Sequence, residues 1–534
     1  MLNERIQYAA RAILRGAEGD QPQNPRTCAT IVPVPTYHVE NFGCRATQAD
    51  GAALERQFEA RGLARAPAAQ ADLVILNTCT VTNSADQDAR AAIRSVQRQN
   101  PLARIIVTGC YAQRAPQEIA ALPGVTAVIG NSHKHQLAEI VLPKIFTRTD
   151  RNENHASGRL REGHDFSRAI NGVSGKALAP EVASRGGRQA FLPISALTEN
   201  RELRTENWVF VSDIFAHTEL QAAPVFESAN AGSDESGRTR PNLKVQDGCD
   251  NRCSFCIIPS VRGHSRSLPL PQVIREMNAL VAAGYREVVI SGINLGRWGR
   301  DFEAAGPKQD FEDLLQAILS ETNLEKLRIS SVEPMDWTEE LIALVASSPR
   351  IARHAHVPLQ SGSDAVLRRM HRKYRPWHYR EKIEKIHAAM PTAAIGADVM
   401  AGFPGETDAE FEATRRLIEE LPFTYLHVFT YSARPGTPAA AMADQVPVHV
   451  ARDRNKILRD LAAEKKLAFM QSFIGKPLEA ITLNVAHHNP DGEFTEALTD
   501  NYQKLHLKGR HEPNRWLTAQ VEAAENEALV GRSN

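Results

Sequence analysis

The chain has 534 residues, 42% apolar and 24% charged, with 63 Lys+Arg balanced by 63 Asp+Glu. That length supports about two to four domains with real cores, and the zero net charge excludes polyanion binding by bulk charge while allowing a local basic patch. No apolar run approaches the roughly 20 residues that span a bilayer, and Met1–Asp20 carries Arg and Glu throughout. No membrane association or secretory signal is therefore expected; in the expected cytoplasmic setting the seven cysteines are thiols or metal ligands rather than disulfides.

Residues 1–30 read as a weakly structured extension, and Cys28 within it has no ligand context. Residues 31–145 alternate strand-like runs (Tyr37–Phe42, Asp72–Asn77, Arg104–Thr108, Val125–Ile129) with helical segments at Thr47–Arg61 and Ser84–Gln99. Ser84 with Gln87 reads as a capping box. The alternation predicts an open parallel sheet with helices packed on it. Residues 146–237 break the pattern with Gly, Ser, Asn, Arg and Glu, and predict a flexible linker or an inserted module; Trp208-Val209-Phe210-Val211 is the clearest apolar island. From 238 to 471 six strand–helix units return, with strands at Leu243–Gln246, Glu287–Ser291, Lys326–Ser330, His354–Leu359, Ala394–Met400 and Tyr425–Tyr431. Six units predict a partial (β/α)6 barrel, whose sites lie where strands end and loops begin. After a charged helix at Ala451–Phe469, residues 472–534 read as four short strands (Leu478–Val485, Phe494–Leu498, Gln503–Leu507, Arg515–Val521), a small β-barrel. The overall class is α/β with this β appendix.

Chemistry concentrates in Gly248-Cys249-Asp250-Asn251-Arg252-Cys253-Ser254-Phe255-Cys256, directly after the first barrel strand. Thiols at i, i+4 and i+7 can hold three irons of a [4Fe–4S] cube and leave the fourth open to a small molecule. Zinc would want a fourth ligand nearby, and the nearest candidate, His264, lies eight residues past Cys256. Three further thiols, Cys44, Cys79 and Cys110, each follow a strand of the first domain. Successive strands of a parallel sheet end on one edge, so these three converge into a second three-ligand site.

The Cys-x3-Cys-x-Phe-Cys loop resembles the radical S-adenosylmethionine (SAM) superfamily. Ser291-Gly292-Ile293-Asn294-Leu295-Gly296 after the second strand, Glu333 after the third and Ala401-Gly402-Phe403-Pro404-Gly405-Glu406 after the fifth follow in that superfamily's order. Two three-cysteine sites and a terminal β-barrel are together similar to the methylthiotransferases, whose terminal domain, TRAM, binds RNA. The resemblance covers roughly 31–145 and 238–534 and implies that Cys249, Cys253 and Cys256 are the catalytic cluster ligands. It further implies that Phe255, Gly292, Asn294, Glu333 and Gly402 contact SAM, and that Cys44, Cys79 and Cys110 hold an auxiliary cluster. The implied cofactors are two [4Fe–4S] clusters and SAM.

Three branches of that family modify isopentenyladenosine in tRNA, an aspartate of a ribosomal protein, or threonylcarbamoyladenosine in tRNA. Phe42-Gly43-Cys44-Arg45, Leu359-Gln360-Ser361-Gly362-Ser363, His427–Ser432 with Arg434-Pro435-Gly436-Thr437, and Ala497–Tyr502 are similar to the third. Thr47 stands where the family usually has Asn. The resemblance implies radical abstraction of the C2 hydrogen of the adenine, sulfur insertion from the second cluster, and methylation from a second SAM. It implies as partners the tRNA anticodon stem-loop, a sulfur donor, and an electron donor such as flavodoxin or ferredoxin. A non-catalytic iron–sulfur RNA-binding protein would not need the ordered glycine turns. Residues 472–534 hold six Lys/Arg and nine Asp/Glu, so RNA contact is expected instead at Arg368–Arg375 with Trp377, Tyr379 and Arg380, and at Arg238, Arg240, Arg262 and Arg266.

Overall fold

The first strands follow from their apolar runs. Leu73–Thr78 and Arg104–Gly109 are almost wholly buried, as expected of strands covered on both faces. The structure, a computed structural model, describes residues 34–146, 208–217, 239–302, 308–489, 492–525 and 527–533. The expectations for residues 1–30, Cys28 and Arg238, and for most of 146–237, lie outside the described residues.

The N-terminal sheet comprises β1 (Thr36–Asn41), β2 (Ala64–Arg65), β3 (Leu73–Thr78), β4 (Arg104–Gly109), β5 (Val125–Gly130) and β6 (Trp208–Phe210), all parallel, in the order β2-β1-β3-β4-β5-β6. Alternate residues feed two cores. Val74, Leu76, Ile105 and Val107 pack on one face, and Leu73, Ile75 and Ile106 on the other. The edge strand β6 lies within 146–237, expected as a flexible linker or an inserted module: the apolar island pairs with β5 and completes the first sheet. The expected Ser84–Gln87 capping box is also corrected. The helix is Asn83–Gln99, and Thr82 caps it by accepting the Ala85 N–H at 3.2 Å.

The central domain holds β7 (Asn242–Lys244), a short hairpin of β8 (Gln246–Asp247) and β9 (Arg266–Ser267), then β10 (Glu287–Ser291), β11 (Lys326–Ile329), β12 (His354–His356), β13 (Ala394–Ala401) and β14 (Tyr425–Thr430). The long strands form two parallel sheets, β11-β10-β7 and β12-β13-β14. They are joined by parallel bridges at Leu327–Ile351 and Ser331–His356. β7 and β14 are thus the free edges of an incomplete barrel, around a core that includes the fully buried Trp298 and Trp337. The N-terminal domain reaches both edges. The Arg45 carbonyl accepts from Asn242 Nδ2 on β7 at 2.8 Å. Beyond β14, Ser432 Oγ accepts from the Asn83 N–H at 3.2 Å, and Arg434 donates to the Thr80 carbonyl at 3.1 Å and to Asp86 at 2.9 Å.

The C-terminal strands β15 (Pro477–Asn489), β16 (Gly492–Thr499), β17 (Lys504–Lys508), β18 (Trp516–Glu525) and β19 (Ala528–Ser533) close a barrel in the order β15-β16-β17-β19-β18. The fifth strand, absent from the sequence reading, pairs with both β17 and β18 and so removes the open edges. The Thr499–Tyr502 turn docks this barrel at the strand-start end of the central domain. Arg328 donates to the carbonyls of Asp500 at 3.0 Å and Thr499 at 3.3 Å, and Asn501 Nδ2 donates to the Thr392 carbonyl at 3.0 Å. No helix among the described residues is long and apolar enough to cross a membrane.

Candidate active site with two thiol triads

Cys44, Cys79 and Cys110 stand at the ends of β1, β3 and β4, which are neighbours in the sheet. Cys44 is exposed at the start of the helix Arg45–Glu59, while Cys79 and Cys110 are buried. Two glycines bring the strand ends close. Gly43 has φ +112°, and a Cβ there would lie 2.5 Å from the Cys79 Cβ and 2.9 Å from its Sγ. Gly109 has φ +100°, and a Cβ there would lie 2.3 Å from the Thr78 carbonyl oxygen. Burial pushes the Cys79 thiol up to about 12, and the neighbouring Cys110 and Cys44 sulfurs push the same way. Thr47, the departure from the family pattern, keeps its hydroxyl 3.5 Å from the Cys44 Sγ. Asn131 Nδ2 lies 3.5 Å from the Cys110 Sγ and donates to the Val261 carbonyl at 2.7 Å.

Cys249, Cys253 and Cys256 ride a loop that leaves β8 through Gly248. Its φ is +70°, and a Cβ there would sit 1.8 Å from the His264 carbonyl oxygen. Burial pushes Cys249 up to about 11 and Cys256 up to about 12. The Cys249 and Cys253 sulfurs are met by nitrogen donors. The Asn251 N–H (3.4 Å) and Asn294 Nδ2 (3.7 Å) reach Cys249, and Arg372 Nη1 (3.3 Å) reaches Cys253. His264 is exposed and pairs with Asp250 at 2.7 Å, which leaves the zinc alternative without its fourth ligand. Among the described residues no group of three His, Cys, Asp or Glu side chains is arranged to hold one metal ion. Thiols gathered in threes, with N–H donors on several of the sulfurs, suit a multi-iron cluster, whose metal deprotonates its ligands and whose sulfurs accept hydrogen bonds.

The expected SAM contacts separate. The Asn294 backbone N–H donates to Gln246 Oε1 at 2.7 Å; the Asn294 side-chain Oδ1 is buried without a partner, as is Ser291 Oγ. Gly292 is needed because a Cβ would lie 2.8 Å from Gln246 Oε1. Glu333 pairs with Arg372, the same guanidinium that meets Cys253. Phe255 is half-buried against the barrel core. The Gly402 N–H is taken by Glu406 Oε2 at 2.8 Å, and a Cβ there would strike the Ala451 Cβ at 2.4 Å, so this turn also accommodates the helix Val448–Gln471.

Sequence reasoning missed what joins the two triads. Cys110 shares an apolar cluster with Ile257 and Val261, and Ile257 directly follows Cys256. Beside that contact lies a buried charge network. Arg262 holds Asp247 at 2.9 and 3.0 Å and Asp50 at 3.0 Å; Lys134 holds Asp50 at 3.1 Å; Lys244 pairs with Asp50 and, at 2.9 Å, with Asp247. Burial raises the Asp50 carboxyl, but Lys134, Lys244 and Arg262 outweigh it and hold the pKa well below the ordinary range. Asp50 and Lys134 belong to the first domain and the others to the barrel, so the network fixes one triad against the other. Charge spacing across two domains is not visible along a sequence.

Most of the cations expected to contact RNA are paired within the protein, while Lys373 is exposed and makes no ion pair within 4 Å among the described residues. Arg262 is in this network, Arg240 pairs with buried Glu287, and Arg266 is buried with its guanidinium on the Arg262 and His217 carbonyls. In the stretch 368–380, Arg372 is occupied at Cys253 and Glu333, Arg369 by Glu410, Arg368 and Arg375 by Asp364, and Arg380 by Glu420. Tyr374 and Tyr379 are buried, with hydroxyls on backbone carbonyls, and of the aromatics there only Trp377 is open.

Comparison with known proteins agrees with this geometry. Residues 243–418 match the Radical SAM superfamily, and residues 36–130 match Uncharacterized protein family UPF0004. A solved structure with a similar fold, the radical SAM methyltransferase TsrM of Kitasatospora setae, gives a TM-score of 0.50 at 15% identity over 76% of this chain and 77% of that one. The central domain is therefore that of a radical SAM enzyme. The threonylcarbamoyladenosine tRNA methylthiotransferase MtaB of Bacillus subtilis is 33% identical over 89% of this chain and 90% of its own length. The MtaB of Aquifex aeolicus is 31% identical over 89% and 97%. The tRNA-2-methylthio-N(6)-dimethylallyladenosine synthase of Acidothermus cellulolyticus is 32% identical over 87% and 79%. The chain belongs to the radical SAM tRNA methylthiotransferase family, an enzyme family that works with two [4Fe–4S] clusters and SAM.

Proposed function

We propose that this enzyme converts N6-threonylcarbamoyladenosine beside the anticodon of tRNA to its 2-methylthio derivative. The observation that carries the reading is the facing pair of thiol triads, in contact through Cys110, Ile257 and Val261. Cys249, Cys253 and Cys256 are assigned to the barrel cluster, and Cys44, Cys79 and Cys110 to the second. When bound, the two clusters and SAM supply the hydrogen abstraction, the sulfur and the methyl group that the reaction needs. The chain's own residues orient these groups. Asn294 and Arg372 donate to the barrel sulfurs, Glu333 is steered by Arg372, and the unpartnered Ser291 and Asn294 oxygens are free to take the SAM amino group. The Asp50 network sets the distance between the triads. The choice of adenosine rests on the branch-specific stretches at Phe42–Arg45, Leu359–Ser363, His427–Thr437 and Ala497–Tyr502, and on the MtaB relatives. The enzyme works in the cytoplasm with flavodoxin or ferredoxin as electron donor and with a separate sulfur donor.

The relatives named for dimethylallyladenosine, at similar identity, support a second reading with that nucleoside as substrate. Anaerobic turnover on two tRNAs, one bearing threonylcarbamoyladenosine and one isopentenyladenosine, followed by nucleoside mass spectrometry, separates them. A methylthio product on the first tRNA alone is expected; product on the second alone rules out the first reading.

A further inference from the structure

Most of the arginines expected at the RNA are paired within the protein, and unpaired cations are also found elsewhere on the surface. A cleft of about 720 Å³ lies between β14, the helix Val448–Gln471 and the C-terminal barrel. Its lining holds five Lys/Arg against two carboxylates, although the whole chain is neutral. Arg452, Lys456, Arg459 and Lys466 recur at helical spacing, so they share one face of that helix, over about 20 Å at 1.5 Å per residue. Lys456 pairs with Asp460 and Lys466 with Glu527. Arg452 and Arg459 are exposed and make no ion pair within 4 Å among the described residues. An unneutralised pair of arginines in a concave groove is what a phosphate backbone recognises.

The inner end of the cleft points to a nucleic acid rather than to a simple polyanion. His427 presents an exposed ring from β14, and Tyr425 and Tyr502 stand beside it with ring centroids 5.4 and 5.7 Å apart in successive pairs. Tyr502 is held at φ +65°, a left-handed backbone that a bulky residue rarely adopts. The turn that imposes it directs the hydroxyl to Arg45, which donates at 3.2 Å. Arg45 adjoins Cys44, the exposed thiol of its triad. The cleft therefore joins a cationic helix face to a set of aromatic rings, and its Tyr502 is one hydrogen bond from the residue that follows Cys44.

We infer that this cleft is the seat of single-stranded substrate RNA. Arg452 and Arg459 take backbone phosphates, and His427 with Tyr502 stack an unpaired base on its way to the Cys44 side of the site. The inference rests on the tRNA reading above and adds the surface that serves it.

The test is fluorescence-anisotropy titration of tRNA on cluster-loaded full-length protein across a salt series. Arg452→Glu with Arg459→Glu should weaken binding at least tenfold. The slope of log K against log salt should fall by about 1.4, since each phosphate contact on a single strand contributes about 0.7. Arg94→Glu with Arg98→Glu, on an exposed face of the first domain, changes the net charge equally and should stay within twofold of wild type. Circular dichroism checks that both variants fold. Equal weakening by the two pairs, or no weakening by the first, overturns the cleft. Wild-type protein that binds tRNA through Arg452 and Arg459 but never methylthiolates it would overturn the proposed reaction and leave the cleft standing.

Discussion

Replacing Gly43 by Ala tests the second triad through a single methyl group. The new Cβ would lie 2.5 Å from the Cys79 Cβ and 2.9 Å from its Sγ, where ordinary contact begins at 3.4 Å. Going from 2.5 to 3.4 Å requires the cysteine to retreat by about 0.9 Å, well outside the roughly 0.2 Å over which metal–ligand distances vary. The φ of +112° adds backbone strain of about 1–3 kcal/mol. Gly62→Ala is the control, because Gly62 has φ +82° with nothing within 4 Å of the added Cβ; it carries the strain without the displacement. After anaerobic reconstitution, Gly43→Ala should hold about four irons per chain against about eight for wild type and Gly62→Ala. Its electron paramagnetic resonance should show one reducible cluster. A Gly43→Ala protein with a full complement of iron that still forms methylthio product would refute the placement of Cys79 as a ligand.

Asp50→Asn leaves Lys134, Lys244 and Arg262 without their common carboxylate and should destabilise the domain junction by about 3–5 kcal/mol, read by denaturant unfolding. Because the folded Asp50 pKa is lowered, its contribution is complete above the unfolded value near pH 4 and is lost as pH falls through the folded one. Wild type should therefore lose more stability than Asp50→Asn between about pH 5 and 2, and parallel profiles would contradict this. Arg372→Gln removes a charged donor from the Cys253 sulfur, so the barrel cluster should become harder to reduce, and an unchanged potential in redox titration would count against that contact. Arg328→Ala leaves the fully buried Glu287 with Arg240 as its one remaining cation and frees the Thr499 and Asp500 carbonyls. It should cost about 3–5 kcal/mol and expose the C-terminal barrel to limited proteolysis.

Much of this was legible along the chain because the strands advertise themselves. Leu73–Leu76 and Ile105–Val107 are continuous apolar runs, and thiols placed just after them must share an edge once the strands are parallel and adjacent. The β19 strand was hidden because Gly531, Arg532 and Ser533 carry little apolar pattern; barrel closure, not local preference, makes it a strand. The Trp208–Phe210 run lacked a visible partner because its neighbour β5 lies some 80 residues earlier. Charge was the least readable property. Arg262, Arg266 and Arg372 look like surface cations in a list of residues, yet each is buried with partners supplied from distant segments. The helix at 448–471 reads in the sequence only as a charged helix at 451–469, and the groove that its arginines line is not visible along the chain.

The most direct measurement is product analysis of Cys79→Ala with SAM, dithionite and tRNA bearing threonylcarbamoyladenosine, following 5′-deoxyadenosine and tRNA nucleosides together by mass spectrometry. Two triads with separate duties predict that 5′-deoxyadenosine still forms and that no methylthio nucleoside does, whereas Cys253→Ala forms neither. A methylthio nucleoside made by Cys79→Ala would contradict the division of labour between them.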